Sequence, residues 1–482
     1  MTWIKKNIWE ILLVCALFFF GLYFRLKGIS SNHSFWADEA LVSSIARDIV
    51  QGKINLWDGV NLQHYQRLQI LTTAVSLKFF GISEWSARLP SVLWGSAGIV
   101  FAYLISKKHS NIWGGFLASI LFSLLQLNLA YSTQAKPYSA ISTLFLMAIY
   151  FAEKNLLITF TIAVVATLYN YIGILTFFPF VAQIIHRSIQ IKNPKLPILI
   201  LGFLITILLG WFLHLDIILK ILVRTQYNWV TYLREFFWRQ FAFISLPAMF
   251  GLLLIKDKKT AWGIALATLS LLFAWNFIFY SHNVRYLIPV VGLIVVLFGI
   301  FWGNVGDKMF RQPAIVCLSI MAIIFAGGYK TVRKPAVYYT PNADFFADVQ
   351  NADYQNFFRN WKAKYPEFEN EIILAGPFDS LSWYTTRYPS ATFDKTKKES
   401  VYSTQYGFWT YPDMTSFVRI ISGNARGFVM VHDWQSFMPD NIKEYVKKTM
   451  KRELRVESMD VSPDDKWPLE LYSWGFDAKK TE

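Results

Sequence analysis

Residues Met1–Gly28 read MTWIKKNIWEILLVCALFFFGLYFRLKG. A basic start leads into an apolar run that closes on Arg25 and Lys27. Crossing a bilayer takes about 20 apolar residues, and no small-x-small cleavage site precedes Arg25. The pattern predicts an uncleaved first membrane helix with a cytoplasmic N-terminus.

The same signal recurs along the chain. Eleven apolar segments stand out, near 8–26, 88–106, 112–132, 137–153, 156–168, 171–186, 197–214, 236–255, 260–280, 286–302 and 313–329. Of 482 residues, 54% are hydrophobic and only 16% charged, where a soluble protein carries about a quarter charged. Mean hydropathy is +0.33. The expected fold class is therefore an α-helical polytopic membrane protein, with about eleven transmembrane helices and a C-terminal soluble α/β domain.

The charge distribution fixes an orientation. The net charge of +15 comes largely from short basic or mixed loops: SKKHSN from Ser106, AEKN from Ala152, HRSIQIKNPK from His186, KDKK from Lys256 and GDKMFR from Gly306. Eleven crossings put all five on the side of the N-terminal lysines, the cytoplasmic side. The basic balance is then accounted for by membrane insertion, with no nucleic-acid partner. The odd count sends the chain's C-terminal part to the extracytoplasmic face, and the compact loops fit a bacterial inner (plasma) membrane. Cys15 and Cys317 lie in apolar segments, so no disulfide framework or thiol chemistry is expected.

Two domains are expected. Residues 1–330 form the membrane part, including an outer first loop over 27–87 with interfacial helices; LQILTTAVSLKFFG, from Leu68, is too short to span and carries Lys78. Residues 331–482 form an extracytoplasmic α/β domain. EIILAG, ARGFVMVHD and LELYSWGF read as strands, and DNIKEYVKKTMKREL as an amphipathic helix.

The outer side carries polar residues that need a reason, because polar groups near membrane depth are costly. SFWADEALVSSIARDIVQGK, from Ser34, sets Asp38 beside Glu39. The bland reading has Ser34 capping an amphipathic surface helix whose acidic first turn suits the dipole. The functional reading has a general base and an orienting carboxylate, since adjacent side chains on a helix point about 100° apart. His64 and Arg67 end the same loop, and Arg88 opens a membrane helix. Lys136, in YSTQAKPYS, and Arg285, in SHNVRYLIP beside His282 and Tyr286, are cations that run against the positive-inside trend. Two such cations at helix ends suit a phosphate at the lipid–water boundary; snorkelling anchors are the alternative. Glycine-rich phosphate loops, H-E-x-x-H and G-x-S-x-G are all missing from the sequence.

These pieces, in this order, resemble the GT-C membrane glycosyltransferases, which include the protein O-mannosyltransferases and the bacterial aminoarabinose transferase. FWADEA stands in the first outer loop. HYQRLQILTTAVSLKFFGISEWSARLPSVLWG is similar to the family's interfacial helix and RLPS helix start. YSTQAKPYSAISTLFLMAIYF resembles the S-x-E-A-R-P-Y stretch, LYNYIGILTFFPFV the next aromatic turn, and VRYLIPVVGLI the late RYLLP helix. The resemblance covers about residues 5–330. It departs at Tyr65 and Gln66, where the family commonly has Pro-Pro, at Gln134 in place of the acid, and at Asn170 in place of His.

The resemblance implies an inverting transferase that moves a sugar from a polyprenyl-phosphate donor, held in membrane lipid, to a hydroxyl of a glycan, lipid or protein acceptor. Asp38 and Glu39 would be catalytic, and Lys136 and Arg285 would hold the donor phosphate. His64, Arg67, Arg88, Gln134, Tyr138, Asn170, Tyr171, His282 and Tyr286 are the substrate-binding candidates. No cofactor is assigned. A divalent metal would be compatible with the family but finds no acidic or His ligand set here. Two alternatives stay open: a non-catalytic lipid-glycan binder or transporter on the same fold, and a scaffold whose outer domain docks a partner.

Overall fold

The computed structural model describes residues 2–30, 33–35, 37–191, 242–277, 284–326, 352–376, 379–432, 437–458 and 468–476. The expected span 197–214, the start of 236–255, and His282 lie outside them. The chain forms two compact units: Met1–Lys27 with Tyr65–Gln69 and Arg88–Ala347, and Gly28–His64 with Ile70–Ala87 and Asp348–Glu482.

The first unit is helical. Three helices are long and apolar enough to cross a membrane: Asn7–Leu26, Glu84–His109 and Ile288–Lys308. Shorter apolar helices cover Ile112–Leu124, Tyr138–Ala152, Leu156–Tyr169, Phe243–Leu253 and Pro313–Ala326. The first helix turns Trp9, Leu12, Phe19 and Tyr23 outward, the surface a lipid phase would cover. Ile288–Lys308 is the bundle's centre and is buried along most of its length. It reaches Ile112–Leu124 at very close range: a Cβ on Gly299 would sit 2.5 Å from the carbonyl oxygen of Gly114. Small residues at a crossing let two backbones approach this way.

The span expected over 112–132 is broken. Ile112–Leu124 stops at Leu125, and a short helix Gln126–Ser132 follows. Helix ends leave carbonyls without partners. Here the fully buried Arg25 meets them, donating through Nη1 to Ser123 O at 3.3 Å and through Nη2 to Phe122 O at 3.3 Å. A cation at a helix C-terminus also suits the dipole.

Four of the basic or mixed loops gather at one end of the bundle. Lys107 pairs with Glu10, and Lys108 with Glu153. Thr260 Oγ1 donates to Glu153 at 2.7 Å and to Asp257 at 2.7 Å. Asn304 donates to His109 O at 3.0 Å, and Asn111 to Gly303 O at 2.7 Å.

The second unit is built on a seven-stranded mixed sheet. Its strands are β1 (Ile372–Ala375), β2 (Ala391–Phe393), β3 (Val401–Ser403), β4 (Phe408–Tyr411), β5 (Gly427–His432), β6 (Lys451–Val456) and β7 (Leu469–Trp474), in the order β3-β4-β2-β1-β5-β7-β6. The pairs β1–β2, β1–β5 and β2–β4 are parallel, and the others antiparallel. Both faces are covered. One packs Phe357, Phe358 and Trp361 of helix Tyr354–Lys364 against Phe428 and Leu471. The other packs Phe417, Ile442 and Val446 against Phe393 and Val429. A covered parallel centre explains why β1 and β5 read as short continuous apolar runs. The expected helix over 440–454 is shorter: it ends at Thr449, and Lys451–Val456 is β6. Glu453 and Arg455 alternate with Leu454 and Val456 there, a period of two that suits a strand pairing with β7.

Candidate active site

In the second unit, the segment from His33 is fastened to the sheet domain. Helix Ala37–Val50 has Val42, Ile45 and Ala46 buried, and also Ser43, Ser44, Arg47 and Asp48. It is not the amphipathic surface helix that Leu41, Ile45 and Ile49 predict. Ser44 and Arg47 bond to helix Asp379–Thr385. Arg47 Nη1 donates to the carbonyls of Ser382 at 2.7 Å and Trp383 at 3.0 Å, while its other nitrogens hold Asp48 at 2.8 and 2.9 Å. The hydroxyls of Ser44 and Ser382 lie 2.9 Å apart.

The residues before the helix are held as firmly. Phe35 N donates to the Tyr384 hydroxyl at 2.9 Å, and that hydroxyl donates to Glu84 at 2.5 Å. The rings of Phe35 and Trp383 are 4.8 Å apart. Ser34 does not cap the helix that follows it. Its hydroxyl donates to Asp353 at 3.3 Å and accepts from Gln355 N at 2.9 Å, so it serves the start of helix Tyr354–Lys364.

The two adjacent carboxylates face different surroundings. Glu39 is buried, with Oε2 at 3.4 Å from Nε2 of the equally buried His33, an ion pair whenever the imidazole carries its second proton. Asp38 keeps partial exposure. A further carboxyl stands near it: Asp379, first residue of its helix and also partly exposed. Burial, and then the negative charge of Asp38, push the Asp379 carboxyl up to about 7. Burial likewise pushes the Tyr354 and Tyr388 hydroxyls up, and the charge of Asp379 adds to both. The sequence singled out neither His33 nor Asp379. Nothing local marks Asp379, whose relation to Asp38 exists only in the fold. His64 and Leu56–Leu62 belong to this unit as well; His64 is exposed in a single 3-10 turn.

In the first unit, the remaining described candidates collect at the end of helix Tyr138–Ala152 opposite the basic loops. A helix of that length separates its ends by roughly 20 Å. Lys136 is buried, in a turn tied down by Ser91 Oγ donating to its carbonyl at 3.0 Å and Ser139 Oγ donating to Ser91 O at 2.9 Å. Gln134 is buried beside it, and Arg88 is fully buried. Tyr138 contacts Tyr131 and Tyr286 edge-on, with ring centroids 5.4 and 6.3 Å away. The Tyr138–Tyr286 contact brings the YSTQAKPY turn to the 3-10 turn Val284–Leu287, which carries residue 285. Asn170 has a local structural duty: its side chain accepts from Ile172 N at 3.1 Å and caps the turn Tyr171–Thr176. Trp94 holds the preceding Tyr169 by a hydrogen bond of 2.9 Å. Tyr171 and Arg67 are exposed. Among the described residues, no group of three or more His, Cys, Asp or Glu is placed to hold a metal ion.

No family model matches the chain. No curated protein matches it in sequence. Solved structures do match in fold. The crystal structure of ArnT from Cupriavidus metallidurans in the apo state is 13% identical, with a TM-score of 0.58 over 97% of this chain and 98% of that one. The structure of the same protein bound to undecaprenyl phosphate is 14% identical, with a TM-score of 0.55 over the same shares. The chain therefore has an ArnT-like fold across nearly its whole length.

Proposed function

We propose that this protein is an integral-membrane inverting glycosyltransferase, which takes its sugar from a polyprenyl-phosphate donor and passes it to a hydroxyl of an extracytoplasmic acceptor. The observation that carries the reading is the fold likeness over 97% of the chain to a protein also solved with undecaprenyl phosphate. The ordered motifs support it, and so does the clustering of Lys136, Gln134, Tyr138 and Tyr286 at one end of the bundle, away from the basic loops. Leu56, Trp57, Phe79 and Phe80 are exposed large apolar residues, which suits helices lying at a membrane surface.

In the proposed reaction Asp38 takes the proton of the acceptor hydroxyl. The acceptor oxygen attacks the anomeric carbon as the bond from that carbon to the phosphate oxygen breaks, and configuration inverts. The departing phosphate keeps the electron pair, so it needs positive charge more than it needs a proton. Lys136 and Arg285 are assigned that task. Glu39, held by His33, keeps the start of helix Ala37–Val50 in place and so orients Asp38. Gln134, Tyr138, Tyr286, His64, Arg67, Arg88, His282 and Tyr171 remain substrate-binding assignments.

The test is transfer from labelled undecaprenyl-phosphate hexoses and pentoses by the full chain in proteoliposomes, together with identification of the lipid-linked sugar that accumulates when the protein is removed from its native cell. Absence of transfer with every donor, and no accumulating lipid-linked sugar, would favour the binder or transporter reading.

A further inference from the structure

Strand β6 ends the sheet, paired with β7. The charges around it lie in two layers. The inner layer is acidic: the side chains of Glu453 and Glu470 are 1% and 6% exposed. The outer layer is basic: the side chains of Lys364, Lys447, Lys451, Arg452 and Arg455 are between 39% and 54% exposed. Lys364, in the last turn of helix Tyr354–Lys364, donates to Glu453 O at 2.8 Å and to its Oε2 at 2.6 Å, and Lys451 Nζ lies 3.5 Å from Oε1. Arg452 and Arg455 donate to Glu470 Oε1 at 3.2 and 3.4 Å, and Lys447, in the last turn of helix Asp440–Thr449, lies 3.8 Å from Oε2. Residues three apart on a regular strand point to opposite faces. The bulge between Arg452 and Leu454 shifts that alternation, and both arginines reach Glu470.

Charge on an edge strand guards it against pairing with another sheet, and either sign serves. Here the sign is sorted by depth. Five exposed cations share two buried carboxylates, and Lys362 and Lys448 add exposed charge in the same two last turns. Glu457 is an exposed acid at this edge, and it accepts from Arg455 Nε at 3.0 Å. A partner arriving from solvent therefore meets ammonium and guanidinium groups steadied from beneath. Surfaces that enter a bilayer pair cations with apolar side chains. No large apolar side chain is exposed on β6 or on the helices Tyr354–Lys364 and Asp440–Thr449; in this unit Leu56, Trp57, Phe79 and Phe80 are. Helix Tyr354–Lys364 also relates the patch to the Asp38 segment. Its start is tied to Ser34 and its last residue to Glu453, so one helix length, roughly 16 Å, separates the two.

We propose that the β6 edge is a binding surface for an anionic glycan, a chain bearing phosphate or carboxylate groups. Exposed guanidinium groups with donors beyond those given to Glu470 suit such groups in pairs. The role of this glycan as the acceptor rests on the transferase reading; its binding does not.

The full-length protein in phosphatidylcholine nanodiscs is titrated with sulfated dextran and with neutral dextran as probes. Binding of the sulfated chain alone is expected. Raising ionic strength from about 0.01 M to about 0.15 M, which shortens the screening length from about 30 to about 8 Å, should weaken it on the order of tenfold. The double variant Lys447→Gln/Lys451→Gln leaves Glu470 and Glu453 their other partners, and should lose about three- to tenfold in affinity. Lys397→Gln/Lys398→Gln, on the exposed loop leading to the opposite edge strand β3, should bind as the wild type does. Equal loss in both double variants, or none in the first, overturns the proposal. So does hydrogen-exchange protection of residues 451–456 by phosphatidylglycerol nanodiscs but not by the sulfated chain, which makes the edge a lipid contact. In transfer assays, Lys447→Gln/Lys451→Gln should raise KM for an anionic glycan acceptor with kcat unchanged. Unchanged KM removes the acceptor role alone. Absence of transfer with every donor overturns the transferase reading, while the probe titration still decides whether the edge binds.

Discussion

Arg47 Nη1 donates to the carbonyl of Ser382 at 2.7 Å, across 335 residues of sequence. The same side chain holds Asp48 and lies over the Trp383 ring, with Cζ 5.8 Å from its centroid. The segment carrying Asp38 is thereby part of the C-terminal unit's interior, and the folding of that unit fixes where Asp38 stands.

Arg47→Ala should accordingly cost stability and activity together. It leaves Asp48 buried without its cation and two carbonyls without a donor, a loss of about 3–5 kcal/mol. Thermal unfolding and limited proteolysis check this, with cleavage near residues 33–50 rising sharply. Arg47→Lys should recover only part, because an ammonium cannot hold the carboxylate and both carbonyls in one plane.

Stability should also carry two opposite pH dependences. The Asp379 carboxyl is raised when folded, so the native state holds a proton that the unfolded chain has released. Its contribution is complete below about pH 4 and is lost as pH rises toward about 7. Asp379→Asn should flatten that slope and raise the melting temperature by a few degrees above neutral pH. Glu453 has the other sign. Burial would raise its carboxyl, but hydrogen bonds from Lys364, Tyr365 and Ser473 outweigh burial and hold it at about 2. Its contribution is present above about pH 4.5 and fades as pH falls toward about 2. Melting curves across the pH range, in wild type and each Asn or Gln variant, separate the two.

Much of this organisation was legible in the sequence. Hydropathy located the described apolar helices, since a lipid-facing helix needs a sustained apolar run whatever packs beside it. Positive loops predicted a shared end, and the pairs Lys107–Glu10 and Lys108–Glu153 bear that out. The apolar runs at 372–375, 427–432 and 469–474 were readable as strands. The edges were not. ATF, VYS and FWTY are too short to show a period, and LQLNL continues the apolar run of Ile112–Leu124 although the backbone breaks at Leu125, where Arg25 supplies donors from another helix. The surroundings of Asp38 were also hidden. Ser34, Ser44 and Arg47 look like ordinary residues of a surface segment until helices Tyr354–Lys364 and Asp379–Thr385, more than 300 residues later, fold over them.

Lys136→Gln should weaken binding of undecaprenyl phosphate by about ten- to a hundredfold, the value of a charge-assisted hydrogen bond to phosphate. Equilibrium binding to the purified protein in nanodiscs measures this. The substitution leaves the turn's backbone ties in place, Ser91 Oγ on the residue 136 carbonyl and Ser139 Oγ on Ser91 O.

The central claim is that Asp38 deprotonates the acceptor of a lipid-phosphate sugar donor. Single-turnover transfer from the labelled donor in proteoliposomes, comparing the wild type with a folded Asp38→Asn variant at equal donor occupancy, tests it most directly. The account predicts a fall of at least about a hundredfold in the transfer rate with donor binding retained. Transfer by Asp38→Asn at the wild-type rate would contradict it.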